Sequence, residues 1–244
     1  MQLFADYHLH SRYSDGRATI RQLAEAALAK GLESIIICDH GPNNIGVGVK
    51  SAGTFLEAKE EAQKIARDFP ELELKVGAEA NVIGLDGEID VPEEVYRQLD
   101  WLVVGLHPYI RPADLRTGWS YVLGNQFHTL TEARREKCIR RNTKALCEAI
   151  RRHKPDVVAH PGLGVPVDIE EVARVCTETN TAFEINTGHR YQQVIDIIRA
   201  ANTGVKFAVN SDAHFTDTVG DFAYGIALLQ QAKIPPEQVI NARH

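Results

Sequence analysis

Histidines and acidic residues recur at the ends of short apolar runs in this sequence. Six of the ten histidines and three carboxylates have this placement, and His8 and His10 stand two residues apart. On a strand, that spacing points both imidazoles to the same face. The nine positions are His8, His10, Asp15, His40, Glu79, His107, His160, Asp212 and His214. Imidazole and carboxylate ligation without thiolate is typical of zinc, manganese or iron, so the residue types predict a divalent-metal centre.

Any one of these residues, taken alone, is better explained as a hydrogen-bonded rim residue or a helix cap. The set is not, because so many imidazoles and carboxylates in one cleft are costly unless a cation compensates their charges. Nine ligands exceed what one or two zinc ions take from a protein, so we expect three divalent ions. Three such ions and three carboxylates leave a charge of about +3, which a bridging hydroxide and an anionic substrate would balance. The count therefore favours phosphate chemistry.

Short apolar runs alternate with amphipathic stretches along the chain, which predicts alternating strands and helices. The predicted strands are Leu3–Tyr7, Ser34–Cys38, Leu72–Ala78, Trp101–Gly105, Asp156–Ala159, Ala182–Ile185 and Lys206–Val209. The predicted helices are Thr19–Lys30, Thr54–Asp68, Thr131–His153, Ile169–Glu178, Tyr191–Ala201 and Thr218–Ala232. Strands without polar alternation are typical of parallel sheets buried on both faces. Seven such units predict a closed or nearly closed α/β barrel, with an open doubly wound sheet as the alternative.

A barrel would explain the placement of the metal-competent residues. The carboxyl ends of parallel strands meet at one rim, where residues far apart in sequence become neighbours. Two connections that follow strand ends are long, residues 41–53 and 108–130, and barrel enzymes place active-site loops at such positions. No linker-like composition interrupts the chain, so we expect one domain over residues 1–244.

The composition limits the remaining function classes. The 244 residues are 44% hydrophobic and 25% charged, with a formal net charge of -6, which is typical of a globular domain and disfavours a general nucleic-acid surface. The basic helix near Arg134–Lys154 also carries acids, so we expect no dedicated nucleic-acid surface. No apolar run reaches the roughly 18–20 residues of a membrane span, and we see no secretory signal. The four cysteines form no Cys-x-x-Cys pair, and we expect a cytoplasmic protein with reduced thiols.

The ordered motifs HxH, SDG, DHG, GAEAN, an isolated His after the fourth strand, HPG and SDAH resemble the signature of the PHP (polymerase and histidinol phosphatase) family. The resemblance runs from Asp6 to about Asn241, nearly the whole chain. Small stand-alone members of this family are metal-dependent phosphoesterases with a distorted, TIM-like (β/α)7 barrel and a trinuclear metal site. The resemblance thus implies a phosphatase that acts on small phosphorylated substrates, most readily monoesters, through a metal-bridging hydroxide.

The resemblance also implies how the nine ligands are divided among three ions, most readily zinc, with manganese or iron as alternatives. One ion would be held by His8, His10, Glu79 and Asp212. Glu79 would bridge to a second ion held with His107 and His160. The third would be held by Asp15, His40 and His214. Glu79, Asp212 and His214 are accordingly the predicted catalytic residues.

Substrate contacts are expected from the long segment 108–130 and from the rim. Arg111, Arg116 and His128 could bind phosphate there, and Trp119 and Tyr121 could cover the substrate, so we interpret the segment as a lid. Arg190 is a further candidate for phosphate binding at the rim. Asn81 and Asn186 are rim amides, and Asp6 could orient a ligand imidazole. For each of these residues, an ordinary surface or structural role is about as plausible.

Two other functions stay open. A metal-dependent amidohydrolase shares the barrel and the HxH motif, but it usually has a bridging lysine on a middle strand, where this sequence has Glu79. A non-catalytic, polymerase-associated metal-binding module is the second alternative. The full set of nine ligands favours an enzyme over such a module.

Overall fold

A ring of seven parallel strands forms the centre of the molecule. The strands are β1 (Ala5–Leu9), β2 (Ser34–Ile37), β3 (Glu73–Asn81), β4 (Trp101–Gly105), β5 (Val157–Val158), β6 (Ala182–Asn186) and β7 (Phe207–Asn210). Each strand pairs with the next in sequence. The ring closes where Leu9 pairs with Ala213, and the His10 amide donates to the Ala213 carbonyl at 2.9 Å. The predicted distorted (β/α)7 barrel is therefore confirmed, and the doubly wound sheet, whose strand order would reverse, is not formed.

The computed structural model describes residues 1–118, 121 and 124–243, without the side chains of Arg116 and His128. The predicted contacts of those two side chains, and the predicted cover by Trp119, thus lie outside the described residues. Within the described part of the chain, no helix has both the length and the apolar character that crossing a membrane requires.

Six longer helices cover the outside of the barrel in the described residues. They are α1 (Ile20–Ala29), α2 (Thr54–Ile65), α3 (Glu132–His153), α4 (Ile169–Thr179), α5 (Val194–Ala201) and α6 (Ala223–Ala232). Shorter helical turns are Ala66–Asp68, Glu93–Tyr96, Leu115–Thr117, Gly124–Gln126, His128–Leu130, Thr216–Thr218 and Pro236–Gln238. Polar side chains set where the longer helices begin. Thr19 and Gln22 form a capping box at the start of α1, and Asp168 accepts two backbone N–H groups at the start of α4.

The inner face of the barrel is apolar at one end and polar at the other. Ile36, Cys38, Val103 and Ala159 belong to one buried apolar cluster. Cys38 is a fully buried free thiol that packs within this cluster. Inward-facing side chains recur at every second residue, so His40 continues the line that contains Ile36 and Cys38. The same strands that close the apolar layer therefore place polar groups at their carboxyl ends.

Several element boundaries differ from those predicted. The first barrel strand is Ala5–Leu9, because Leu3 instead pairs with Ala242 in a separate antiparallel ribbon of Gln2–Leu3 and Ala242–Arg243. The third strand extends to Asn81, so Glu79 lies within it. The last helix begins at Ala223, after a separate 3-10 turn. The ends of the strands were hard to predict from the sequence because polar site residues such as Glu79 still form strand hydrogen bonds beyond the apolar run.

The two long connections contact each other above the barrel. Asn44 and Ile110 form an antiparallel bridge. The Ile45 amide donates to the Tyr109 carbonyl at 2.9 Å, and the Arg111 amide donates to the Asn43 carbonyl at 2.8 Å. The two segments thus form one wall beside the carboxyl ends of β2 to β4.

Candidate metal centre

The nine predicted ligands surround one pocket at the carboxyl ends of the strands. The pocket has a volume of about 340 Å³, and its lining includes Asp15, His40, His107, His160, Asp212 and His214. His8, His10 and Glu79 are fully buried, and each lies within 4.0 Å of a lining residue. The structure therefore brings together all nine side chains, which we call the ligand cluster. Their roles as ligands stay a prediction.

The first group centres on the two histidines of β1 and its end. The Nε2 atoms of His8 and His10 are 3.1 Å apart. Glu79 Oε2 lies 3.4 Å from His8 Nε2 and 3.7 Å from His10 Nε2. Asp212 Oδ1 lies 3.0 Å from His10 Nε2 and 4.0 Å from His8 Nε2. Donor atoms at these separations match the edges of a coordination shell with metal–ligand distances of about 2.0–2.2 Å.

The second group uses the other oxygen of Glu79. Glu79 Oε1 lies 2.7 Å from His160 Nε2 and 3.2 Å from His107 Nε2. The two carboxylate oxygens thus face different imidazoles. This arrangement suits a carboxylate that is shared between two cations.

The third group lies toward the pocket opening. Asp15 Oδ1 is 3.3 Å from His214 Nε2 and 3.9 Å from His40 Nε2. The group is continuous with the others, because His10 lies close enough to join it and His40 Nδ1 is 2.6 Å from Glu79 Oε2. The three expected sets are therefore not separated in space, because His10 and His40 each lie close to residues of two sets.

Two members of the ligand cluster have unusual backbone conformations. Asp212 has a φ of 53° and His160 a φ of 26°. Residues other than glycine rarely adopt positive φ, and doing so costs about 1–3 kcal/mol. Such strain is concentrated at functional sites in proteins, which sets these two turns apart from ordinary loop residues.

Protons accumulate on several imidazoles of the cluster because carboxylates face them. Burial lowers the pKa of His214, but its hydrogen bond to Asp15 and the charge of Asp212 outweigh burial and raise that pKa to about 9. The pKa values of His8, His40 and His160 are also raised, against the effect of burial, by the charges of Glu79 and its neighbours. The carboxylates of the cluster therefore stabilise positive charge, and divalent cations would supply more of it than protons on the imidazoles do.

The remaining imidazoles of the cluster are already in the form that binds metal. Burial lowers the pKa of His10 to about 3 and that of His107 to about 4, and the charge of His40 adds to the effect in both. Within the described residues, Glu79 Oε2, Asp212 Oδ1 and His107 Nε2 lie close to other cluster atoms, but none of these contacts has the geometry of a hydrogen bond. Unsatisfied buried polar atoms are rare in folded proteins. The donor set therefore fits divalent cations.

Glu184 supports the cluster from below and is absent from the predicted site. It is fully buried on β6. It accepts hydrogen bonds from His8 Nδ1 at 2.8 Å, the His160 amide at 2.6 Å and Asn210 Nδ2 at 2.9 Å. Because His8 donates from Nδ1, its Nε2 atom is free to bind a metal. Histidines that bind metals in proteins commonly donate their other ring nitrogen to a carboxylate in this way. The one signal in the sequence was a charged residue inside an otherwise apolar strand.

His189 also lies at the pocket, although it was not predicted to. Its Nε2 atom is 3.3 Å from Asp212 Oδ2, and its ring centre is 6.0 Å from that of His160. Unlike the ligand cluster, its side chain is about half exposed. It follows β6 in the same way that His107 follows β4, and this placement could have identified it.

Residues 108–130 and Arg190 are arranged differently from the expectation of phosphate binding. Arg190 donates to Asp221 at 3.1 Å, and neither Arg190 nor Arg111 is among the described pocket-lining residues. Tyr121 is buried, so it does not cover substrate, and its hydroxyl donates to the His107 carbonyl at 3.2 Å. The described residues of this segment that line the pocket are Pro108 and Tyr109. The phosphate-binding roles of Arg111 and Arg190 stay predictions.

The polar residues predicted to flank the site have structural partners. For Asp6 the sequence left open whether it orients a ligand imidazole or has a structural role, and its carboxylate accepts the amides of Ser211 and Gly220. An irregular register between Asp6 and Leu9 breaks the alternation on which the first of these roles was based. Asn186 donates to Asp212 Oδ2 at 2.8 Å and so orients a member of the ligand cluster. Asn81 donates to Asp90 at 2.6 Å, behind the pocket.

Comparison with known proteins places the chain in a family. A family model for the PHP domain matches residues 6–207. A protein of Caldanaerobacter subterraneus named "Probable phosphatase" is 32% identical, with 99% of this chain and 88% of that protein covered. The fold is similar to that of a Lactococcus lactis histidinol phosphate phosphatase structure with zinc, L-histidinol and phosphate, with a TM-score of 0.63, 16% identity and 93% of each chain covered. It is also similar to a candidate histidinol phosphatase of Listeria monocytogenes, with a TM-score of 0.68, 16% identity, and 89% of this chain and 97% of that chain covered. The family match, the barrel and the ordered ligand motifs agree, and the chain belongs to the PHP family.

Proposed function

We propose that this protein is a metal-dependent phosphatase that hydrolyses small phosphate monoesters at a three-metal site. Its family and its phosphatase-named relatives make it a phosphoester hydrolase. The observation that carries the finer proposal is the ligand cluster, in which buried imidazole and carboxylate atoms without partners converge beside an open pocket.

The three groups of the cluster would each hold one divalent ion. Glu79 would bind two of these ions, and Asp212 would bind the ion that is held by His8 and His10. Zinc is the ion we propose, on the imidazole-rich donor set and on its presence in the Lactococcus lactis structure. Bound divalent ions lower the pKa of water toward neutrality, so that the bridging hydroxide of the proposal can form, and they neutralise phosphoryl oxygens.

The chain's own residues position these groups. Glu184 holds His8 through Nδ1, and the Asp212 carbonyl accepts from His214 Nδ1 at 2.9 Å, so both Nε2 atoms point into the cluster. Asn186 fixes one oxygen of Asp212. These contacts hold the donor atoms at fixed positions before substrate arrives, and such preorganisation is a main source of catalytic power.

The amidohydrolase alternative receives less support. The bridging position on β3 is filled by Glu79, whose two oxygens face different imidazoles. None of the described residues that line the pocket is a lysine, whereas such amidohydrolases usually have one.

The proposal is tested by measuring hydrolysis with metal-stripped and metal-loaded protein. Phenyl phosphate, a phosphodiester and an N-acyl amino acid serve as substrates, and elemental analysis counts the ions. We expect monoester hydrolysis only in the loaded protein, at up to three ions per chain. Hydrolysis of the amide alone, or a count that never exceeds one, would contradict the proposal.

A further inference from the structure

The pocket has one face that the proposed metal chemistry does not use. Besides members of the ligand cluster, Asn44, Gly164 and His189, its lining consists of Val47, Leu106, Pro108, Tyr109 and Leu163, which we call the apolar wall. Among the described residues that line the pocket, none is a lysine or an arginine. A substrate phosphate at the ligand cluster would therefore direct the rest of the molecule along apolar side chains.

The apolar wall is held in place by backbone hydrogen bonds. The pairing of Ile45 with Tyr109 and of Asn43 with Arg111 fixes both loops. Asn43 adds a side-chain bond to the Arg111 carbonyl at 3.1 Å. The backbone N–H of Asn43 donates to the Asp90 carboxylate at 2.9 Å, and the same carboxylate accepts the backbone N–H of Asn81 on β3 at 2.8 Å. The wall is thus tied to the strand that carries Glu79.

Tyr109 is the most exposed part of this wall. Its side chain is 63% exposed, and it stands two residues after His107, a member of the ligand cluster. An exposed aromatic ring at a pocket rim offers a flat surface that gains free energy when an apolar group covers it. The position beside the cluster means that the leaving group of a bound phosphate ester is the group within reach.

Among the described residues that line the pocket, no lysine or arginine on this side would balance a second anionic group of the substrate. Arg190 is engaged by Asp221, and Arg111 is not among the lining residues. Moving a carboxylate or a second phosphate from water to an apolar surface without a partner is costly. The wall thus disfavours sugar bisphosphates and phosphorylated acids.

We infer that the substrate is a phosphate monoester with an uncharged leaving group that presents an apolar or aromatic face, which packs on Tyr109 and the rest of the apolar wall. This inference rests on the proposed phosphatase function and specifies its substrate class. Tyr109 is then a specificity-determining residue.

The test uses primary alkyl esters of similar intrinsic reactivity: 2-phenylethyl phosphate, butyl phosphate, 2-carboxyethyl phosphate and the small reference methyl phosphate. For the zinc-loaded protein we expect kcat/KM to fall in the first three from phenylethyl to butyl to carboxyethyl. Each step should be about tenfold or more, in the range that a few apolar contacts provide. A preference for carboxyethyl phosphate over butyl phosphate would overturn the inference.

Variants distinguish an effect on substrate preference from an effect on hydrolysis itself. Tyr109→Ala should reduce the preference for phenylethyl over butyl phosphate roughly fivefold or more, and kcat/KM for methyl phosphate should fall less than kcat/KM for phenylethyl phosphate. Tyr109→Phe, which keeps the ring, should retain the preference. Ile45→Ala, an exposed neighbour outside the pocket lining, should behave like the wild type. Val47→Arg should raise kcat/KM for carboxyethyl phosphate.

The outcomes distinguish two failures. If the loaded protein hydrolyses none of the esters, the proposed function is wrong and this inference falls with it. If it hydrolyses them all with ratios that Tyr109→Ala leaves unchanged, the proposed function stands and the assignment of the apolar wall is wrong.

Discussion

The ligand cluster and the apolar wall border the same pocket, but they are built in different ways. His8 and Glu79 are fully buried on barrel strands, whereas Tyr109 is mostly exposed on a loop. Strand residues are positioned by the register of the whole sheet, while loop residues depend on a few local bonds. The difference teaches that this barrel separates chemistry from specificity: loop substitutions can alter substrate choice without moving the donor atoms.

The largest effect is expected from Glu79→Gln. The amide keeps the shape of the side chain, but it removes the negative charge that faces the surrounding imidazoles. We expect the loss of several kcal/mol of transition-state stabilisation, roughly a thousandfold in kcat. The fold should survive, because the apolar layer of the barrel lies elsewhere. Steady-state kinetics with elemental analysis and circular dichroism measures this.

The matched control for that change is Glu73→Gln. Glu73 lies at the opposite, exposed end of the same strand, where it contacts Lys75. Its substitution should leave kcat unchanged. Near-normal turnover in Glu79→Gln with metal bound would show that Glu79 does not bridge.

Acidification should weaken the group that contains His214. The metal binds a neutral imidazole, and the pKa of His214 without metal is raised to about 9, so a proton must leave when the ion binds. Affinity should therefore rise with pH, about tenfold per unit, until it levels off near pH 9. Competition with a chromophoric chelator between pH 6 and 9 measures the slope. A flat affinity across that range would contradict His214 as a ligand, and His214→Gln should give a weaker and shallower curve.

An intermediate effect is expected from Glu184→Gln. Glu184 accepts from His8 Nδ1 and from the His160 amide, and a glutamine would present an NH2 group to one of these donors. Loss of such a second-layer contact typically costs about 10–100-fold in metal affinity or activity. Isothermal titration of the stripped protein with zinc should detect this loss. Glu178→Gln, on the exposed end of α4, is the control, and equal affinities in both variants would remove Glu184 from the site.

The sequence predicted the ligand cluster better than the rest of the pocket, for physical reasons. His8, His10 and Glu79 lie in or directly after the carboxyl-terminal parts of their strands, and parallel strands in a barrel must place them at one rim. Glu184 was missed because its buried position depends on partners contributed by other strands. The role of Tyr109 was missed because exposed loop residues have no periodicity. The lid was assigned to the whole of 108–130, whereas its described pocket-lining residues are those next to His107.

The smallest effect concerns Tyr121, which links the segment 108–130 to the ligand cluster. Its hydroxyl donates to the carbonyl of His107 at 3.2 Å, and the guanidinium of Arg141 lies 5.9 Å from its ring centre. Tyr121→Phe keeps the buried ring but removes the hydrogen bond. We expect a loss of about 1 kcal/mol in the free energy of unfolding and a lowering of Tm by about 2–4 °C. Thermal and urea unfolding of the stripped protein measure it.

The activity of Tyr121→Phe then decides what the segment does. If the segment only supports the barrel, kcat/KM should change less than about threefold and equally for every ester, since the His107 side chain stays on its strand end. Tyr109→Phe, the same change on an exposed ring, should alter neither stability nor activity. A loss that is larger for phenylethyl than for methyl phosphate would mean that Tyr121 positions the apolar wall through the His107 backbone. In that case the residues for chemistry and those for specificity would not be independent, because His107 would influence both.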